Sequence, residues 1–260
     1  MANILDNYAL ASPLRYKNNW LKLFIVTIGM IAGVSSTSPI VPLFIASSMS
    51  FATIYFGKTP LKLYSKIILT PASFVLLSAI IIAFFFGSGN ELFSFSILGY
   101  ELAINSGGFN MAILIMARTL GGMTCLFFLA LTTPMIELFS VLKATRLPDY
   151  FIEISMMMYR YIFVFIDIAM SIKYAQTVRL GYRNFKTASK SFAMLASILF
   201  IRSWEQGEKT YLSMNSRCYD GKMTMFHIKR PVKLPEAILT VVYLGCLISI
   251  SYLTRDYSIF

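Results

Sequence analysis

The sequence predicts an all-α integral membrane protein with about five transmembrane helices and an inserted region of one short and two long helices. Three observations predict it. Of the 260 residues, 57% are hydrophobic and only 13% charged, about half the usual charged share of ~25%. Residues 23–57, 67–90, 102–117 and 237–254 hold no Asp, Glu, Lys or Arg, and apolar runs of about 18 residues have the length of a membrane crossing. Finally, residues 134–236 hold 15 of the 23 Lys and Arg, wedged between apolar sequence on both sides. The alternation of a membrane β-barrel is absent.

The N-terminus is polar, with Asp6, Arg15 and Lys17 ahead of any apolar run, so a cleavable signal peptide is not expected. Residues 21–57 are too long for one span and are interrupted at Ser35-Ser36-Thr37-Ser38-Pro39. Two short spans, 21–37 and 39–56, fit better. The third span is expected over 67–87 and the fourth over 109–133. The last covers 236–253 and is opened by Pro235, a residue suited to a helix start.

Loop charge orients these spans. Residues 57–66 carry Lys58, Lys62 and Lys66, whereas 88–108 carry Glu91 and Glu101 without Lys or Arg. The positive-inside bias puts the first loop in the cytoplasm and the second outside. Arg15, Lys17 and Lys22 then place the N-terminus inside, and five spans leave residues 255–260 outside. The organisation expected is a bundle of about four spans over 1–133, a cytoplasmic region over 134–235, and a final span with its tail over 236–260. The location is the cell membrane. The net charge of +11 fits cytoplasmic loops better than nucleic acid.

Arg118 falls inside the fourth span. A charge there is costly and usually faces the bundle interior, so it is either a packing or coupling contact or an arginine snorkelling to an interface.

Within the basic region, 134–147 reads as a short amphipathic helix. Arg146-Leu147-Pro148-Asp149 ends it, since a residue before Pro avoids helix. Residues 149–180 then run without Gly or Pro, a helix about 45 Å long at ~1.5 Å per residue. Asn184-Phe185-Lys186-Thr187 breaks the chain, and a second long helix is expected over 188–217, before the turn pair Asp220-Gly221. Residues 154–172 are apolar, with Met156, Met157, Met158, Tyr161 and Phe163. Arg160 and Asp167 inside them, and the parity of the spans, argue against another crossing. Methionine clusters suit both an irregular core and a surface that re-packs on a moving partner.

The two long helices end alike. Tyr174-Ala175-Gln176-Thr177-Val178-Arg179-Leu180-Gly181-Tyr182 and Tyr211-Leu212-Ser213-Met214-Asn215-Ser216-Arg217-Cys218-Tyr219 each place one arginine near a helix end. One such residue is favoured by the helix dipole alone. Two with matched flanks point to a grip on a partner, because the guanidinium fork suits bidentate pairing with a carboxylate.

Catalytic chemistry is not indicated. The chain lacks the Gly-rich loop with Lys-Ser/Thr that cradles phosphates. Its one histidine, His227, sits near Lys229 and Arg230, a poor setting for a metal that wants several ligands. Cys125, Cys218 and Cys246 have no framework spacing, so disulfides are not expected. Asp149, Glu153, Glu205 and Glu208 read as exposed carboxylates, solvated or paired with Lys and Arg. No catalytic, cofactor-binding or metal-binding residues are assigned.

Several blocks resemble one family. Asp6-Asn7-Tyr8-Ala9, Ser12-Pro13-Leu14-Arg15, Leu129-Ala130-Leu131-Thr132-Thr133-Pro134, Leu147-Pro148 and Tyr159-Arg160-Tyr161 are similar to the transmembrane (T) component of energy-coupling factor transporters, cobalt/nickel type. Arg202-Ser203-Trp204-Glu205-Gln206-Gly207-Glu208 and the residues from Met214 to Gly221 resemble its most characteristic block. The resemblance implies a coupling subunit of an ATP-driven importer. Two cytosolic ABC-type ATPase subunits would use the ATP and a separate membrane subunit would bind the substrate, cobalt or nickel. By position, Arg179 and Arg217 would dock the ATPases, with Ala175, Ser216, Cys218 and Tyr219 beside them. The family's tips read Ala-Arg-Gly, whereas this chain has Val178-Arg179-Leu180 and Ser216-Arg217-Cys218. Gly181 and Gly221 are placed to end the helices instead.

Three alternatives stand beside this reading. A T component serving a vitamin would share every feature above. A standalone protein whose basic region binds anionic lipid headgroups would give no special weight to two arginines. A self-sufficient secondary transporter would want ionisable residues near the bilayer midplane, and only Arg118 comes near.

Overall fold

The structure, a computed structural model, describes residues 2–85, 91–97, 100–144, 147–221 and 233–254. Arg146, His227, Lys229, Arg230 and the tail 255–260 lie outside the described residues. The chain divides into two compact units, Met1–Leu138 with Lys229–Phe260, and Phe139–Ile228.

In the first unit, α1 (Ala2–Ala11) and a 3-10 turn (Pro13–Tyr16) lead into α2 (Asn19–Ser35). Asn18 starts α2: its side-chain oxygen accepts from the Trp20 and Leu21 amides at 2.9 and 3.4 Å, satisfying donors the first turn leaves free. The expected break follows, where Ser36 Oγ donates to the Ser38 carbonyl at 2.7 Å. Next come α3 (Ile40–Phe51), continued by a π turn (Ala52–Phe56), and α4 (Leu61–Phe85). A two-stranded antiparallel hairpin, β1 (Glu91–Ile97) and β2 (Tyr100–Asn105), precedes α5 (Ser106–Thr132). After α6 (Met135–Lys143), α7 (Asp149–Val178) and α8 (Phe185–Asn215), the chain closes with α9 (Leu234–Leu253).

The protein is an all-α membrane protein, the hairpin being its one departure from helix among the described residues. Among the described residues, three helices, α4, α5 and α9, are long and apolar enough to cross a membrane; two apolar helices, Asn19–Ser35 and Ile40–Phe56, are shorter. The helix expected from residue 67 begins at Leu61. Lys62 and Lys66 are exposed on its first turns, where long cationic side chains reach the interface without ending the helix. Residues 88–108, read as a loop, contain the hairpin.

The first unit centres on α5. Its buried face is built largely from small residues, Gly108, Ala112, Ala117, Gly121 and Cys125. Such stripes let membrane helices approach closely when lipid removes most of the hydrophobic drive. At Gly121 the approach is tight: a Cβ there would lie 2.9 Å from the Pro42 carbonyl oxygen on α3. Val26, Val41, Ile45, Met49, Cys125, Phe128 and Leu247 complete a core shared by α2, α3, α5 and α9. The three cysteines are free.

Arg118 bonds a backbone carbonyl of the bundle. Its Nε and Nη2 donate to the Ser36 carbonyl at 3.2 and 2.7 Å. That oxygen lies just past the end of α2, where a cation offsets the negative end of the helix. The basic N-terminal residues, counted above only for orientation, also have acceptors. Arg15 pairs with Glu137 at 3.0 Å and Lys17 with Glu236 at 2.9 Å. Lys22 is buried and donates to the carbonyls of Leu14 and Thr132.

Candidate functional site

The two arginine-bearing helix ends belong to α7 and α8 of the second unit, which lie antiparallel. Three side-chain contacts give the order. Gln176 Nε2 donates to the Ser191 carbonyl (2.9 Å), Tyr161 Oη meets Thr210 Oγ1 (2.6 Å), and Tyr219 Oη donates to Glu153 (2.9 Å). The end of α7 therefore lies beside the start of α8, and the end of α8 beside the start of α7. Arg179 and Arg217 sit at opposite ends of this pair. The rise from Glu153 to Arg179 puts them about 40 Å apart at ~1.5 Å per residue.

Both ends are built alike. Leu180 adopts φ +58° and Cys218 φ +59°, each immediately after an arginine. The Leu180 amide donates to the Thr177 carbonyl and the Gly181 amide to Gln176, at 3.0 and 2.8 Å. In the second, Cys218 donates to Asn215 and Tyr219 to Met214, at 3.0 and 3.2 Å. A left-handed residue flanked by these two bonds is a Schellman helix end, which satisfies carbonyls the last turn leaves open. The left-handed position is taken by Leu180 and Cys218, not by Gly181. Gly181 serves close approach: a Cβ there would lie 2.6 Å from Ser191 Oγ and 2.9 Å from the Gln176 carbonyl. Gly221 does have positive φ, +87°, but three residues beyond Cys218.

Arg179 and Arg217 are exposed, as are Ala175, Ser216 and Cys218, while Tyr219 is half-buried. Neither guanidinium makes an ion pair or hydrogen bond among the described residues. The two ends differ in their supports. At Arg179 the bracing is local: Ser191 Oγ donates to the Gly181 carbonyl and Tyr182 Oη to Gln176, at 2.9 and 2.7 Å. At Arg217 the brace is Tyr219 on Glu153, 66 residues away.

Glu153 is the residue that sequence reasoning misread. It is only 5% exposed and accepts the Tyr219 hydroxyl, so it is not a solvated carboxylate. Nothing local in the sequence marks this; Tyr219, two residues after Arg217, is the one hint. Its hydrogen bond to the carboxylate holds the Tyr219 phenol above its ordinary pKa, since a phenolate beside Glu153 would lose the bond and face a like charge. Tyr161 is shifted the other way by its bonds to Thr210 and Gln206. Asp149 pairs with Lys143 at 3.3 Å, and Glu208 accepts from the Trp204 indole at 2.8 Å. Helix α8 starts at Phe185, three residues before the expected point, because Asn184 and Thr187 form a reciprocal cap.

Few side chains of α7 and none of α8 are buried. Between them an open groove of ≈520 Å³ is lined by Met157, Met158 and Met214 with Ile154, Tyr161 and Tyr211. Met157 and Met158 thus line a surface and do not fill a core. Among the described residues, no cluster of three His, Cys, Asp or Glu side chains has the arrangement to hold a metal ion.

The fold and this helix pair, with an arginine at each end that makes no ion pair or hydrogen bond among the described residues, define a helical membrane component. Residues 11–228 match the family model described as cobalt transport protein, CbiQ, and the chain belongs to that family. It is 46% identical to a putative fused cobalt transport protein, CbiMQ, of Methanocorpusculum labreanum, over 86% of this chain and 37% of that one. An uncharacterized protein of Methanocaldococcus jannaschii is 37% identical over 99% of this chain and 96% of its own. The cobalt transport protein CbiQ of Salmonella typhimurium is 28% identical over 61% of this chain and 70% of its own. The chain thus spans little more than a third of the fused relative.

Proposed function

We propose that the chain is the transmembrane coupling subunit of an ATP-driven cobalt or nickel importer. Arg179 and Arg217 each dock one cytosolic ATPase subunit, and the basic region faces the cytoplasm with the N-terminus inside and the C-terminus outside. ATP is used by the ATPases; the chain itself contributes no catalytic, cofactor or metal-binding residue. Closure of the ATPases moves α7 and α8, which reorient a separate substrate-binding membrane subunit.

The observation that carries this reading is the pair of matched helix ends. Each presents an exposed arginine without an acceptor among the described residues, on a left-handed turn that L-residues rarely adopt. A separation of about 40 Å suits two subunits, or two sites on a dimer, better than one acidic pocket. The exposed apolar faces of α7 and α8, with Phe192, Phe200, Ile201 and Trp204 all more than half exposed, support contact with protein partners. The test is purification of the tagged chain from its host in mild detergent. Two copies of an ATPase and a small membrane subunit should co-elute. A chain that elutes alone in several detergents contradicts the proposal, and a vitamin-binding subunit in place of a metal-binding one corrects the substrate.

A further inference from the structure

The first unit holds an apolar groove to which the arginine-bearing helix ends do not contribute. A groove of ≈560 Å³ lies between α2, α3 with its π turn, α5 and α9. Its walls are apolar, with Leu21, Ile25, Met49, Leu239, Val242 and Tyr243 among them. One end is charged: Lys17, Lys22 and Glu236 line it, and Lys233 stands three residues before Glu236, directly ahead of α9. Two ammonium groups and one carboxylate therefore line this end, with Lys233 the next cation along the chain. Lys22 is committed to two backbone carbonyls. Lys17 bonds Glu236 but keeps half of its side chain exposed, 49%, so it can accept a second anionic partner.

The dimensions and the level of the groove also point to one occupant. Along α9 the lining runs from Glu236 to Cys246, ten residues or about 15 Å. That is half of a hydrocarbon core of about 30 Å, the depth of a single leaflet. Beside the charged end, Tyr16 and Trp20 are 74% and 44% exposed, as aromatic side chains are at headgroup level. We propose that this groove binds one acyl chain of an anionic phospholipid, its phosphate held by Lys17 and Lys233 and its chain lying along α9 toward Cys246. A basic pocket between transmembrane helices has this chemistry. A zwitterionic lipid would match the walls but not the excess of positive charge. A free phosphate would match the charge and leave the walls empty.

Native mass spectrometry of the detergent-purified protein, given equal amounts of phosphatidylglycerol and phosphatidylcholine of the same chain length, tests this. One phosphatidylglycerol should be retained preferentially. Lys233→Gln should weaken that retention about fivefold, the effect of removing one basic residue near an anionic headgroup. Val242→Trp, which fills the groove from an exposed wall position, should abolish retention of both lipids. A second readout does not depend on these variants. In a Cys218→Ser background, phosphatidylglycerol should slow maleimide labelling of Cys246, an exposed residue at the deep end, more than phosphatidylcholine does. Equal retention of the two lipids, or Cys246 shielded equally by both, overturns the proposal. So does inorganic phosphate displacing the bound lipid completely, or a co-purifying membrane subunit that shields Cys246 in place of lipid. None of these results depends on whether ATPases bind, so they are separable from a failure of the coupling role.

Discussion

Leu180 and Cys218, 38 positions apart, share one backbone conformation, φ +58° and +59°, and each directly follows the arginine at the end of a long helix. Neither residue has an intrinsic preference for that region; a left-handed L-residue costs roughly 1–2 kcal/mol. The same strained turn at both helix ends argues that the turn, and the arginine it aims, is what the two ends have in common.

Removing the strain should therefore stabilise the protein. Leu180→Gly and Cys218→Gly each replace an exposed side chain with the residue suited to positive φ. We expect each to gain about 0.5–1 kcal/mol after the entropic cost of glycine, read as a rise in Tm by scanning fluorimetry in detergent. Gly181→Ala should do the reverse, because its Cβ would press on the Gln176 carbonyl. A lower Tm for both glycine variants would show that the left-handed turns are absent.

The Tyr219–Glu153 bond predicts a pH response of a particular sign. Tyr219 has its pKa raised in the folded state, so its contribution is fully present below the unfolded value of about 10. It is lost as pH rises through the folded value. Carbon-13 tyrosine NMR should show one resonance, absent in Tyr219→Phe, titrating above the ordinary tyrosine range and moving down in Glu153→Leu. A nitroxide on Cys218 should become more mobile in Glu153→Leu, whereas one on Leu180→Cys should not. Equal changes at the two positions would mean that Glu153 supports the whole helix pair and not the Arg217 end.

Arg118 carries a prediction about the membrane bundle. Arg118→Met leaves the Ser36 carbonyl, on a residue only 5% exposed, without its donor. An unsatisfied buried group costs about 1–3 kcal/mol, so a fall in Tm is expected, with partial recovery in Arg118→Lys. An unchanged Tm would return Arg118 to the reading of an interfacial cation.

What was legible in the sequence is what a local pattern records. Charge-free runs place α2, α3, α4, α5 and α9, and Ser35 to Pro39 mark the break between the first two. The matched arginines were visible because their neighbours repeat. The hairpin was missed, although Phe93-Ser94-Phe95-Ser96 alternates as a strand does; the lack of Lys and Arg was read as loop orientation alone. Glu153 was missed because its partner is 66 residues away and only the antiparallel pairing of α7 and α8 brings them together. The left-handed turns were assigned to the nearby glycines because propensity favours glycine there. The hydrogen bonds of the helix ends place them on Leu180 and Cys218 instead.

The most direct test of the account is the ATPase stoichiometry of the purified complex, read by native mass spectrometry, for Arg179→Glu, Arg217→Glu and the double variant. The account predicts two ATPase subunits on the unaltered chain, weakened retention of one in each single variant, and none in the double variant while the chain still inserts in the membrane. A double variant that keeps both ATPases at full occupancy would contradict it.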